Sequence, residues 1–149
     1  MHHSVRNVWY RMIHKQCPSK SALFVRRLRN VEDDKCTLCN DTEDAKHLMV
    51  SCPHKNDIWS NIFEQFLGYP KVANPQQVYQ SIVNLNLKQY FIYNLDIKIT
   101  IFDLFAATIR MIWRFHLLQT FEGVPFDTNN VTNKISAEVM RLSDLKHQY

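Results

Sequence analysis

Three cysteines and one histidine fall within residues 36–52, in the pattern C-x2-C-x7-H-x4-C. The stretch runs Cys36-Thr37-Leu38-Cys39, then seven residues to His47, then four more to Cys52. Zn²⁺ prefers four thiolate or imidazole donors in a tetrahedron, and Cys3His is one of its structural sets. A Cys-x2-Cys turn places two sulfurs on one small knuckle, and the four-residue spacing brings Cys52 round by roughly one helical turn after His47. Cys36, Cys39, His47 and Cys52 are therefore the candidate metal ligands. The competing reading, a pair of buried thiols with a chance third, leaves the histidine between them unexplained. The stretch itself holds an odd number of cysteines, three, which argues against a disulfide framework. Four protein donors close the tetrahedron and leave no position for water or substrate, so the expected zinc is structural, its binding energy becoming folding energy. The remaining cysteine, Cys17, lies outside the pattern and reads as a free thiol.

Glycine is scarce, at 2 of 149 residues, which disfavours sheets and tight hairpins. Apolar residues recur at helical spacing instead, and the chain reads as all-α, a small helical bundle with an embedded CCHC zinc knuckle. Helices are expected over 4–16 (Val5, Val8, Trp9, Met12 and Ile13), 20–30 after a Ser19 cap, and 54–67 (Ile58, Trp59, Ile62, Phe63, Phe66 and Leu67). The last stripe should pack on the first helix. Further helices are expected over 75–85 after Asn74-Pro75, over 97–119, and over 129–146 with Val131, Ile135, Val139, Leu142 and Leu145 inward. Residues 86–96 fit a loop, a short strand or a helical lead-in. The organisation expected is a knuckle domain, 1–68, with a helical extension, 69–149, packed on it. No apolar run approaches the length of a membrane span, and no apolar leader follows the N-terminal Met-His-His, so an intracellular protein away from membranes is expected.

Charge is unevenly placed. Residues 1–30 carry Arg6, Arg11, Lys15, Lys20, Arg26, Arg27 and Arg29 and no acid, whereas basic and acidic residues balance from residue 56 onward. Such an excess beside the knuckle points to a polyanion, or to a solvated helix face. Arg26, Arg27, Arg29, Lys35, Lys46 and Lys55 are the candidate phosphate contacts. Glu32, Asp33, Asp34, Asp41, Glu43 and Asp44 weigh against them unless they face away. His54 reads as solvated, and Asp96 and Asp103 as surface residues. No nucleophile–base pair, phosphate loop or open metal site is readable, so an enzyme is not expected.

The residues around the knuckle resemble a known family, the zinc-binding domain that follows the polymerase in non-LTR (LINE-type) retrotransposon reverse transcriptases. That family has a Cys-x-x-Cys, an acidic loop, His-Leu, Cys-Pro and then a Trp. Here they are Cys36 and Cys39, Asp41 to Asp44, His47-Leu48, Cys52-Pro53 and Trp59. The resemblance covers roughly residues 5–67. Ile109 to Arg114 and Gly123 to Phe126 loosely resemble the tail of such proteins. It implies the same four zinc ligands, RNA before DNA as the nucleic acid held, and a reverse transcriptase core as a further partner. It leaves open a piece of a retroelement or a freestanding descendant. The competing expectation is a structural, protein-interaction module in which zinc only staples the helices.

Overall fold

Trp9 and Met12 lie on one face of a helix three residues apart, and both are buried. They belong to the first of six α-helices in this computed structural model, which describes residues 3–27, 31–68 and 74–148. The helices are α1 (His3–Ile13), α2 (Lys20–Val25), α3 (Pro53–Leu67), α4 (Pro75–Val83), α5 (Ile101–Glu122) and α6 (Thr128–His147), and a π turn spans His47–Ser51. Among the described residues there is no strand, only one isolated bridge between Lys35 and Thr42. The architecture is all-α, with the Cys3His segment set between α2 and α3. No described helix is long and apolar enough to cross a membrane.

Capping chemistry explains the helix limits. The Asn74 side chain accepts from the N–H groups of Gln76 and Gln77, and Pro75 follows where no N–H is needed. Thr100 and Asp103 form a reciprocal capping box, so α5 starts at Ile101 and not at 97. Asp127 caps α6. Gly68 and Gly123 end α3 and α5 at φ 71° and 67°, the left-handed region glycine adopts without a Cβ clash.

α5 is the central strut, about 33 Å long at 1.5 Å per residue. It packs against α1 and α6, and α6 packs against α3. The expectation that the α3 stripe packs on α1 is corrected. Its main helical partner is α6, and Trp59 and Phe63 also meet Phe105 of α5, with ring centroids 5.1 and 5.9 Å apart. α1 docks instead on α5 and α4. There Trp9 stacks on Phe102 at 4.9 Å and its indole N–H donates to the Ile82 carbonyl at 2.8 Å. One apolar core runs from Val8 to Val139.

Two further expectations change. α2 stops at Val25, Arg27 turns to φ 53°, and no α2 residue is buried. The helix expected over 20–30 is therefore only six residues long, Val25 is 77% exposed, and Leu28 lies outside the described residues. In α6 Leu145 is exposed near the helix end and Leu142 is half-buried, while Val131, Ile135 and Val139 are inward. Residues 86–96 form an irregular connection. It is held by Tyr90, buried with its hydroxyl 2.9 Å from that of Ser81, and by the Tyr93 N–H, which donates to the Phe66 carbonyl at 3.2 Å.

Candidate metal centre

The knuckle is built from short-range hydrogen bonds. The Cys36 N–H donates to the Asp41 carbonyl at 2.7 Å, and the Asn40 N–H donates back to the Cys36 carbonyl at 2.9 Å. Asn40 takes φ 67°, which an Asn tolerates better than most side chains. The Leu38 N–H points at Cys36 Sγ, 3.4 Å away. Asp44 then caps the next turn, its Oδ1 accepting from the His47 N–H at 2.8 Å.

That next turn is π-helical. The Cys52 N–H donates to the His47 carbonyl at 3.1 Å, an i to i+5 bond. In a regular α-helix five residues would carry Cys52 about 140° round from His47. The wider turn brings it back beside the imidazole. The one helical turn expected between them is therefore a π turn.

The ligand atoms of Cys36, Cys39, His47 and Cys52 all lie within 4.8 Å of one another. Cys39 Sγ is 3.1 Å from His47 Nε2 and 4.0 Å from Cys52 Sγ. A zinc tetrahedron has edges of about 3.8 Å between sulfurs and about 3.5 Å from sulfur to nitrogen, and the observed contacts bracket these values. Cys36, His47 and Cys52 are buried. Crowding divides the thiols' protons: the hydrogen bond from Cys52 holds Cys36 down at about 3, while that bond and burial push Cys52 up. A shared cation relieves the conflict, because the thiolate is the ligating form. Donor set and spacing fit one zinc ion in a closed site, which would cross-link the knuckle to the start of α3.

The surroundings enclose the π turn. Leu48, Met49 and Val50 are fully buried, and the Trp59 indole donates to the Met49 carbonyl at 3.0 Å. The Thr37 hydroxyl reaches Gln119 of α5.

The candidate phosphate contacts scatter. Arg26 and Arg27 are exposed just after α2, and Arg29 lies outside the described residues. Lys35 is exposed, with its ammonium 3.8 Å from Asp34 and 3.3 Å from the Thr42 hydroxyl, and Lys46 is half-buried. Lys55 is corrected: it is fully buried, so it presents no charge to a phosphate backbone. Its ammonium instead lies over the Phe126 ring, 5.2 Å from the centroid.

Glu43, counted among the acids that would repel phosphate, also turns inward and is 1% exposed. Its Oε2 accepts from the Lys20 N–H at 3.2 Å, and burial pushes its carboxyl up to about 7. Its Oε1 lies 3.4 Å from His116 Nε2, within ion-pair reach, but burial pulls the imidazole down to about 3. The pair is thus not an ion pair at neutral pH, and Oε1 has no hydrogen-bond partner among the described residues. His54 and Cys17 stand apart from the cluster, and burial raises the Cys17 thiol to about 12. Asp103 is used in the α5 cap and by Lys146, 2.6 Å away, and Asp96 is exposed. No sequence signal marked the Glu43, Lys55 and His116 group, because its members come from three separate elements.

Residues 1–59 match the family described as zinc-binding in reverse transcriptase. The match spans all four cluster residues, so the N-terminal part of the chain is similar to a reverse transcriptase zinc-binding domain, and zinc is the metal its cluster is in position to bind. No curated protein and no solved structure matches the chain.

Proposed function

We propose that this chain is a zinc-binding accessory module of a non-LTR retroelement reverse transcriptase, non-enzymatic itself, that contacts RNA or DNA through phosphates. Cys36, Cys39, His47 and Cys52 hold a structural zinc as a CCHC knuckle, and residues 69–149 are a helical extension packed on the knuckle domain 1–68. The observation that carries this reading is the convergence of four soft donors within 4.8 Å inside the segment that matches the family. Arg26 and Arg27, exposed beside the knuckle, and Arg29 with them in sequence, are the leading phosphate contacts, joined by Lys35 and Lys46. Phosphate contacts make binding steeply salt-dependent and weakly sequence-specific.

The test is fluorescence anisotropy of labelled single-stranded RNA titrated with zinc-loaded protein at low and near-physiological salt. Binding that weakens steeply with salt and is lost in the Arg26→Glu/Arg27→Glu/Arg29→Glu chain, with folding intact, is expected. Single-stranded DNA of the same sequence is the comparison, with RNA expected to bind more tightly.

A second reading, a protein-interaction module docking on a polymerase core, is favoured by one observation. The ammonium groups of Lys20 and Lys35 are engaged by Asp33 and Asp34 at 3.2 and 3.8 Å, which blunts the basic surface at the knuckle. No RNA binding at low salt, or binding indifferent to the three arginines, would favour it.

A further inference from the structure

Lys55 is fully buried, and its ammonium has no hydrogen-bond partner among the described residues. A buried, unpaired charge is strongly unfavourable unless an opposite charge lies near it. The position aggravates the problem. Cys52 is the N-cap of α3 and Pro53 its first residue, so Lys55 stands in the first turn, at the positive end of the helix dipole. Something negative must compensate.

Glu43 alone does not. Its Oε1 is also without a hydrogen-bond partner, so carboxylate and ammonium do not bond to each other. The Phe126 face supplies only a cation–π contact. Cys52 stands three residues before Lys55, at the N-cap of the same helix, and is itself fully buried. Three thiolates and a neutral imidazole around Zn²⁺ carry one net negative charge. That charge would sit at the α3 N-cap, where the helix dipole also favours it.

We infer that Lys55 is the buried counter-charge of the zinc-loaded Cys3His centre, a positioning residue that raises its affinity for the metal without ligating it. The inference rests on the assignment of Cys36, Cys39, His47 and Cys52 to zinc. Lys55 follows Cys52 by three residues and is roofed by Phe126 from the α5–α6 connection, which covers the counter-charge from the far end of the chain.

Zinc affinity, measured by competition with a chromophoric chelator, tests this in three chains alongside the wild type. Glu43→Gln removes the other buried charge and is the reference. Lys55→Met/Glu43→Gln then removes the ammonium without stranding a carboxylate. It is expected to bind zinc at least tenfold more weakly than Glu43→Gln. Lys55→Arg/Glu43→Gln, which restores the charge, is expected to return to within threefold of it. Equal affinity of the Met-bearing and reference chains would overturn the inference and make Lys55 only the neutraliser of Glu43. Should the Met-bearing chain fail to fold, Lys55→Gln/Glu43→Gln is read against the same thresholds. A wild-type chain that takes up no zinc overturns both the ligand assignment and the role of Lys55.

Discussion

The backbone N–H of Cys52 donates to the carbonyl of His47 at 3.1 Å, closing a single π turn between two members of the Cys3His cluster. Inserting one residue after Ser51 would leave five residues between these groups in place of four, a spacing that neither an α turn nor a π turn brings onto one face. The shift swings the thiol out of line with the imidazole and rotates α3 against its partners. Zinc affinity should fall more than a hundredfold, measured by chelator competition. Retention of wild-type affinity would show that the π turn is incidental.

Removing the metal should loosen the knuckle more than the helices. Residues 31–46 are held by one isolated bridge and a few turn bonds, whereas α5 and α6 are continuous helices in the core. Hydrogen exchange after chelation should rise first in residues 31–52 and least in α6. Cys39→Ser and His47→Ala should reproduce that pattern and lower stability by several kcal/mol (about 3 or more), as expected when a structural site is lost. Uniform loosening of the whole chain would contradict this order.

Trp59 carries a packing role and a hydrogen-bonding role. It is fully buried between Phe63 and Phe105, and its N–H satisfies the Met49 carbonyl inside the π turn. Trp59→Phe keeps most of the apolar volume but strands the carbonyl, at a cost of about 1–3 kcal/mol. Trp59→Ala should cost about 3–5 kcal/mol. Urea unfolding of the zinc-loaded proteins gives both numbers, and equal losses would mean that the hydrogen bond is the whole effect.

His116 should make the fold acid-sensitive. Burial lowers its imidazole from 6.5 to about 3, so between those values the unfolded chain binds a proton the native chain refuses, and stability falls as pH drops. Glu43 acts in the opposite sense. Its carboxyl, raised from 4.5 to about 7, weakens the fold as pH climbs through that window. His116→Gln removes the first effect and keeps the second. The change in stability on going from pH 7.5 to 5.5 should then be more favourable than in wild type by about 1 kcal/mol, the worth of one pH unit below the ordinary imidazole value. Urea denaturation at the two pH values decides it, and an unchanged difference between them would show that His116 protonates freely in the folded chain.

Local features were legible in the sequence because their causes are local. Four donors within seventeen residues bring themselves together through one knuckle and one turn, whatever the rest of the chain does. The stripes of α3, α5 and α6 repeat often enough to declare a helix, and Asn74-Pro75, Asp127, Gly68 and Gly123 act on neighbours a few residues away. The same periodicity misled at α2, where Arg27 turns the chain after six helical residues and leaves Val25 in solvent. It is also silent about partners: it suggests α1 for α3, whose main helical partner is α6.

By itself, then, the sequence determined the helical class, the positions of most helices and the membership of the metal cluster, all set by spacing along the chain. Only the tertiary structure decided which charged residues face water. Lys55, Glu43 and His116 carry ordinary polar side chains with nothing in their flanks to mark them, and in the sequence Lys55 reads as a surface cation. Its ammonium is covered by Phe126, more than seventy positions further along the chain. Burial is a property of that packing, and the dielectric it creates turns three unremarkable side chains into a coupled group beside the metal centre.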